Sequence, residues 1–156
     1  MRLKLKSSLG ASPLLLLLFV VAGWVGVPGS VSAATDAKVE AILVWGTDDA
    51  APSTKSLKQL ESKLHDKLAR VFKWQNYFEV NRKNAQLSSG KLQGLKLSNE
   101  CSVEMKMLPG NFVEAKLLSK GKALVTRRHS LAKAEALVLA GDDRNKNAWF
   151  VVLNFN

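Results

Sequence analysis

The stretch KVEAILVWGTDD, residues 38–49, decides how this chain is folded. From Ala41 to Trp45 it is wholly apolar and rich in β-branched and aromatic residues. A strand with one wet face alternates polar and apolar side chains, because successive residues point to opposite sides. A run without alternation reads instead as a strand covered on both faces, here stopped by Gly46-Thr47-Asp48-Asp49. Residues 48–54, DDAAPST, with Pro52 flanked by Ser, Thr and Asp, read as a loop.

Downstream the period changes. Leu57, Leu60, Leu64, Leu68, Val71 and Phe72 recur at three- and four-residue steps, one stripe of an α-helix expected over residues 56–74. Ser56 with Gln59 supplies a capping box, and Lys58, Lys63, Lys67 and Lys73 fall mostly off the stripe. After residue 74 the pattern is that of strands. CSVEMKML (101–108) sets Val103, Met105 and Met107 against Glu104 and Lys106, and FVEAKLL (112–118) turns Val113, Ala115 and Leu117 inward. Turn residues at 88–90, 109–111 and 119–122 separate short strands at regular spacing. The expected class is α+β: one amphipathic helix on a mostly antiparallel sheet, in the order β-α-β-β-β-β-β-β.

Upstream lies a targeting segment, residues 1–33. Arg2, Lys4 and Lys6 precede an apolar run over residues 13–27, which is short for a bilayer span of roughly 20 residues. Pro28 and Gly29 break it, and Val31-Ser32-Ala33 offers small residues for cleavage after Ala33. The expectation is an exported protein, periplasmic or secreted, touching a membrane only if this signal stays uncleaved. Removing the 33 residues from the 156 leaves 123, one domain over residues 34–156. Loss of the three leader cations lowers the net charge from +10 to +7. Cys101 is the single cysteine, so no disulfide forms within the chain and packing must supply the stability. A buried small hydrophobe is its simplest reading, ahead of a thiol joined to another chain.

Paired acids follow two of the apolar runs, Asp48-Asp49 and Asp142-Asp143. If the strands neighbour each other, four carboxylates meet, which would suit calcium and its roughly six to eight oxygens. Neither segment has the D-x-D-x-D-G spacing that wraps an ion, and adjacent side chains in extended backbone diverge. Gly141 with Asp and Asn suits a turn, and Arg144 and Lys146 neutralise the acids. Turns therefore outweigh a metal site. No G-x-S-x-G elbow, H-E-x-x-H helix, cysteine–histidine metal set, phosphate loop or dinucleotide fingerprint occurs. No cofactor is expected, and catalysis would rest on carboxylates at strand ends, Asp48, Asp142 or Glu79, as a small secreted enzyme.

The basic stretch KLLSKGKALVTRRHSLAK (116–133) carries Lys116, Lys120, Lys122, Arg127, Arg128, His129 and Lys133 without an acid. As a hairpin it is either a solvated edge guarded by lysines or a face for an anionic envelope component or another protein. Nucleic acid is not expected, since the segment lacks interleaved aromatics and the protein is exported. FKWQNYF (72–78) adds Trp74 and Tyr77 as candidate partner-facing anchors beside Phe72, which belongs to the core stripe. The functional expectation is a small non-catalytic binding or structural module of the cell envelope, with the enzyme and a calcium-binding domain as alternatives.

Overall fold

The computed structural model describes residues 36–49, 57–141 and 147–156. Residues 1–33, expected to be a targeting segment, and Ser56, Asp142 and Asp143 lie outside the described residues. Strand β1 (Ala37–Thr47) occupies the centre of a five-stranded antiparallel sheet. The order across that sheet is β2 (Lys58–Gln59), β3 (Asn76–Leu87), β1, β9 (Ala148–Phe155), β8 (Leu137–Ala140). A second sheet is a four-stranded meander of β4 (Leu92–Lys96), β5 (Cys101–Leu108), β6 (Phe112–Ser119) and β7 (Lys122–Ser130). One helix, α1 (Ser62–Ala69), completes the described structure.

The layers follow from β1. Val39, Ala41 and Leu43 point to the second sheet and join Val103, Met105, Val113, Ala115 and Leu117 in one core. Ile42 and Val44 point the other way and join Leu60, Leu68, Tyr77, Phe150 and Val152 under the helix. A strand apolar on both faces is stable only between two covers, here the meander on one side and α1 on the other. Strands with one cover alternate: in β5, Cys101, Val103, Met105 and Met107 are buried, whereas Ser102, Glu104, Lys106 and Leu108 are not. Three residues, Pro109-Gly110-Asn111, close the β5–β6 hairpin and two, Lys120-Gly121, close the β6–β7 hairpin, with Gly110, Asn111, Lys120 and Gly121 at positive φ.

The coarse class stands as a sheet-rich α+β chain with a minor helix, and three finer expectations are corrected. The sheet is two sheets. Seven strands follow the helix, and a two-residue strand precedes it, so the order β-α-β-β-β-β-β-β is replaced by β-β-α followed by seven strands. The helix is also shorter than residues 56–74, because residues 58–60 pair with the edge of β3: Lys58 lies opposite Glu79, and the Leu60 N–H donates to the Tyr77 carbonyl at 3.2 Å. Leu60, Leu64, Leu68 and Phe72 still reach one apolar face, but Val71 is 74% exposed.

That difference is measurable. Leu68→Ala is expected to destabilise by about 2–5 kcal/mol in urea unfolding, since Leu68 alone of the helix is fully buried. Val71→Ala is expected to change stability by less than about 0.5 kcal/mol. Equal losses at the two positions would contradict the placement of the stripe.

Candidate functional site

A concavity opens where the two sheets end. β1 and β9 run antiparallel with Trp45 opposite Trp149, two residues beyond Leu43 and two before Val151, so both indoles face the second sheet. Facing them are small side chains, Ser98, Cys101 and Ser119, at the ends of β4, β5 and β6. Large against small leaves a cleft of about 230 Å³. Leu43 and Val80 complete its apolar wall, and Glu100 stands at its rim.

Local backbone features hold this shape. Pairing between β1 and β3 steps from Leu43↔Asn81 to Val44↔Glu79, which leaves Val80 as the extra residue of a bulge. Val80 is consequently 44% exposed although it sits in a strand. Beside it, the Asn81 side-chain amide donates to the Leu97 carbonyl at 2.6 Å and ties the first sheet to the second. The Trp149 ring lies on Gly141, where a Cβ would collide with the indole, and the Gly141 N–H donates to the Trp149 carbonyl at 2.8 Å. Trp45 leans on Phe78 at 6.0 Å between ring centroids. On the opposite wall the Ser98 hydroxyl accepts from the backbone N–H groups of Glu100 and Cys101. Burial pushes the Cys101 thiol up to about 12, so the cleft presents it as a neutral SH at pH 7.

The expected site residues fall elsewhere. Of the basic hairpin, Lys116 pairs with Glu104 at 3.5 Å and Lys120 with Glu100 at 3.3 Å. Arg128 is opposite Glu114 on the outer face and lies over the Phe112 ring at 4.0 Å. Arg127 is opposite Ala115 and His129 opposite Val113, so both point to the other face; His129 stacks on Phe155. The hairpin thus divides its charges between two faces. Lys122 is exposed at the hairpin turn.

Tyr77 departs from its expected role as an anchor: it is 1% exposed, packed on Phe150 beneath the helix, and unavailable to a partner. Trp74 is half-buried, edge-on to the same Phe150 at 5.5 Å, with the Lys73 ammonium over its ring. Asp48 Oδ1 accepts from the Gln75 N–H at 3.1 Å, and the Asp49 carbonyl accepts from the Asn76 side chain. Both therefore fasten the end of β1 to the start of β3. Among the described residues no three His, Cys, Asp or Glu side chains group as metal ligands.

One cluster has no counterpart in the sequence reading. Arg82 on β3 meets Glu40 and Glu79 at 2.7 Å and Glu61 at 3.3 Å. Asn154 donates to the other oxygen of Glu40. The five residues come from β1, β3, β9 and the N-cap position of α1, so the network pins the helix to the sheet. The Arg82 hydrogen bond holds the Glu79 carboxyl below its ordinary value, against the opposing effect of burial.

Against family models, curated proteins and solved structures, the chain has no match.

Two expectations follow. Since Glu79 has a lowered folded-state pKa, its stabilisation is present above the ordinary value of 4.5 and is lost as pH falls through the folded value. Urea midpoints of the wild type should therefore drop more steeply below pH 4.5 than those of Glu79→Gln, and parallel curves would refute the coupling. Cys101, in turn, should resist a water-soluble thiol reagent at pH 8 in the native protein and react at once in urea. Stoichiometric labelling without denaturant would show the thiol to be open.

Proposed function

We propose that this chain is an exported, non-catalytic binding module whose ligand enters the cleft beneath Trp45 and Trp149. The observation that carries the reading is the cleft itself: two half-buried indoles, braced from behind, opposed by side chains too small to fill the space. Rigid aromatic surface that is pre-formed and only partly covered favours apolar ligand groups, because little conformational entropy is lost on binding. At about 230 Å³ the space exceeds the roughly 150 Å³ that accommodates benzene, and falls short of the roughly 300 Å³ of the smallest drug-sized pockets. It suits a single ring or short alkyl group, such as one end of a larger ligand. The targeting segment at residues 1–33 supports action outside the cytosol.

A carboxylate enzyme or a calcium site at the strand ends draws less support. Asp48 already accepts from Gln75, and Glu79 is held in the Arg82 network on the helix side of the sheet. Neither faces the cleft.

Titration of the purified protein with 1-hexanol, followed by the indole N–H resonances in NMR, tests the reading. The signals of Trp45 and Trp149 should move saturably while that of Trp74 stays. Val80→Arg, a change at an exposed wall residue, should weaken binding at least tenfold with the fold intact. Shifts centred on Trp74, or none that saturate, would refute the cleft as the ligand site.

A further inference from the structure

The second sheet stops at a strand that is unlike every other sheet edge in the described structure. Its last member, β7, is hydrogen-bonded only to β6. The other terminal strands are short, two residues in β2, five in β4 and four in β8, whereas β7 runs for nine. An edge strand presents a row of unpaired N–H and C=O groups that can accept one more strand. Along β7, Lys122, Ala123, Leu124, Thr126, Arg127 and Arg128 are all exposed.

Charge says what such a strand would be. Within the second sheet, opposite signs sit side by side in register: Lys106 faces Glu114, Glu104 faces Lys116, and Glu114 faces Arg128. The cations of β6 and of the hairpin turn find acids toward β5, Glu104 for Lys116 and Glu100 for Lys120. Among the described residues β7 has no strand on its far side to do the same. Among the described residues Lys122, Arg127 and Arg128 form no ion pair, and Arg127 donates to the neighbouring Thr126 carbonyl. The sequence from Ala115 to Ala134 contains no acid. A second copy of β7 is a poor occupant, because like charges set opposite one another destabilise a strand pair.

We propose that the open edge of β7 docks an extended acidic peptide by strand addition. Main-chain hydrogen bonds supply the affinity, and carboxylates opposite Arg127 and Arg128 supply the selection. Since these two arginines point to opposite faces of the sheet, the complementary strand carries two adjacent acids. The surface is separate from the indole cleft and does not depend on the reading of that cleft.

The test uses the full chain and fluorescence polarisation of a labelled ten-residue probe of threonine and valine with two adjacent glutamates. Three comparisons decide it: the probe with lysines for glutamates, the probe N-methylated at alternate backbone positions, and an Arg127→Gln, Arg128→Gln protein. The expected result is saturable binding of the acidic probe, with at least a tenfold loss in each comparison and amide shifts along β7 in NMR. The arginine changes are on exposed side chains, and the two altered probes leave the protein untouched. Equal affinity for the N-methylated probe, or stronger retention by heparin or anionic vesicles than by the peptide, would mean charge attraction without strand pairing and would overturn the proposal. Absence of binding would overturn it equally.

Discussion

Everything in this fold depends on giving β1 two roofs. Its side chains are apolar on both sides from Ala41 to Val44, and each buried in a core of its own. Burying such a side chain is worth about 1.5–3 kcal/mol relative to leaving it in water. One layer cannot cover both faces, so the chain must supply a second sheet and a helix. The path does so economically: β3 and β9 flank β1, the meander crosses over one face, and α1 covers the other. The helix side adds an ionic fastening at Arg82, which reaches Glu40 on β1, Glu79 on its own strand and Glu61 at the start of α1.

The cleft follows from the same constraint carried one residue too far. β1 and β9 keep their inward alternation through Trp45 and Trp149, whereas the facing strands end in Cys101 and Ser119. A core packed to crystal-like density would match a large side chain with a large one. Here indoles meet small polar groups, and the mismatch is maintained by Gly141, Phe78 and the Val80 bulge rather than closed by collapse. Empty space that a structure braces from several directions is a stronger pointer to binding than a loop that happens to be open. It also explains why Cys101, though it lines the cleft, is poorly suited to act as a nucleophile: its burial favours the thiol over the thiolate.

Much of this was legible in the residues, and the illegible parts share a cause. The double burial of β1 and the inward faces of β5 and β6 are written in their periodicity, which is a local property. Which layer each strand joins is a long-range property, and alternation in β5 says nothing of whether it extends the sheet of β1 or covers it. The leucine stripe was misleading for a different reason. Leu60 reaches the core from an extended segment held to β3 and Leu64 from the helix, so similar spacing serves two conformations. For the cleft, Trp45, Trp149, Cys101 and Ser119 come from four strands, and only Gly141, placed before a strand that carries a tryptophan, hints locally at a ring needing room. The acids at 48 and 49 are tied to Gln75 and Asn76 far along the chain, another long-range contact that local turn chemistry does not reveal.

The basic hairpin shows why composition and position must be separated. Its cations look like one patch in the sequence, yet a strand sends neighbours to opposite faces, and Arg127 and Arg128 part company accordingly. What distinguishes them is place in the sheet. An inner strand has a neighbour on each side that can neutralise it, as β5 does for β6, but an edge strand has only one. Lysine and arginine on such an edge discourage pairing with another basic strand, the usual protection against aggregation. The same charges lower the barrier for a strand of opposite sign, so protection against self and selection of an acidic partner are one electrostatic property.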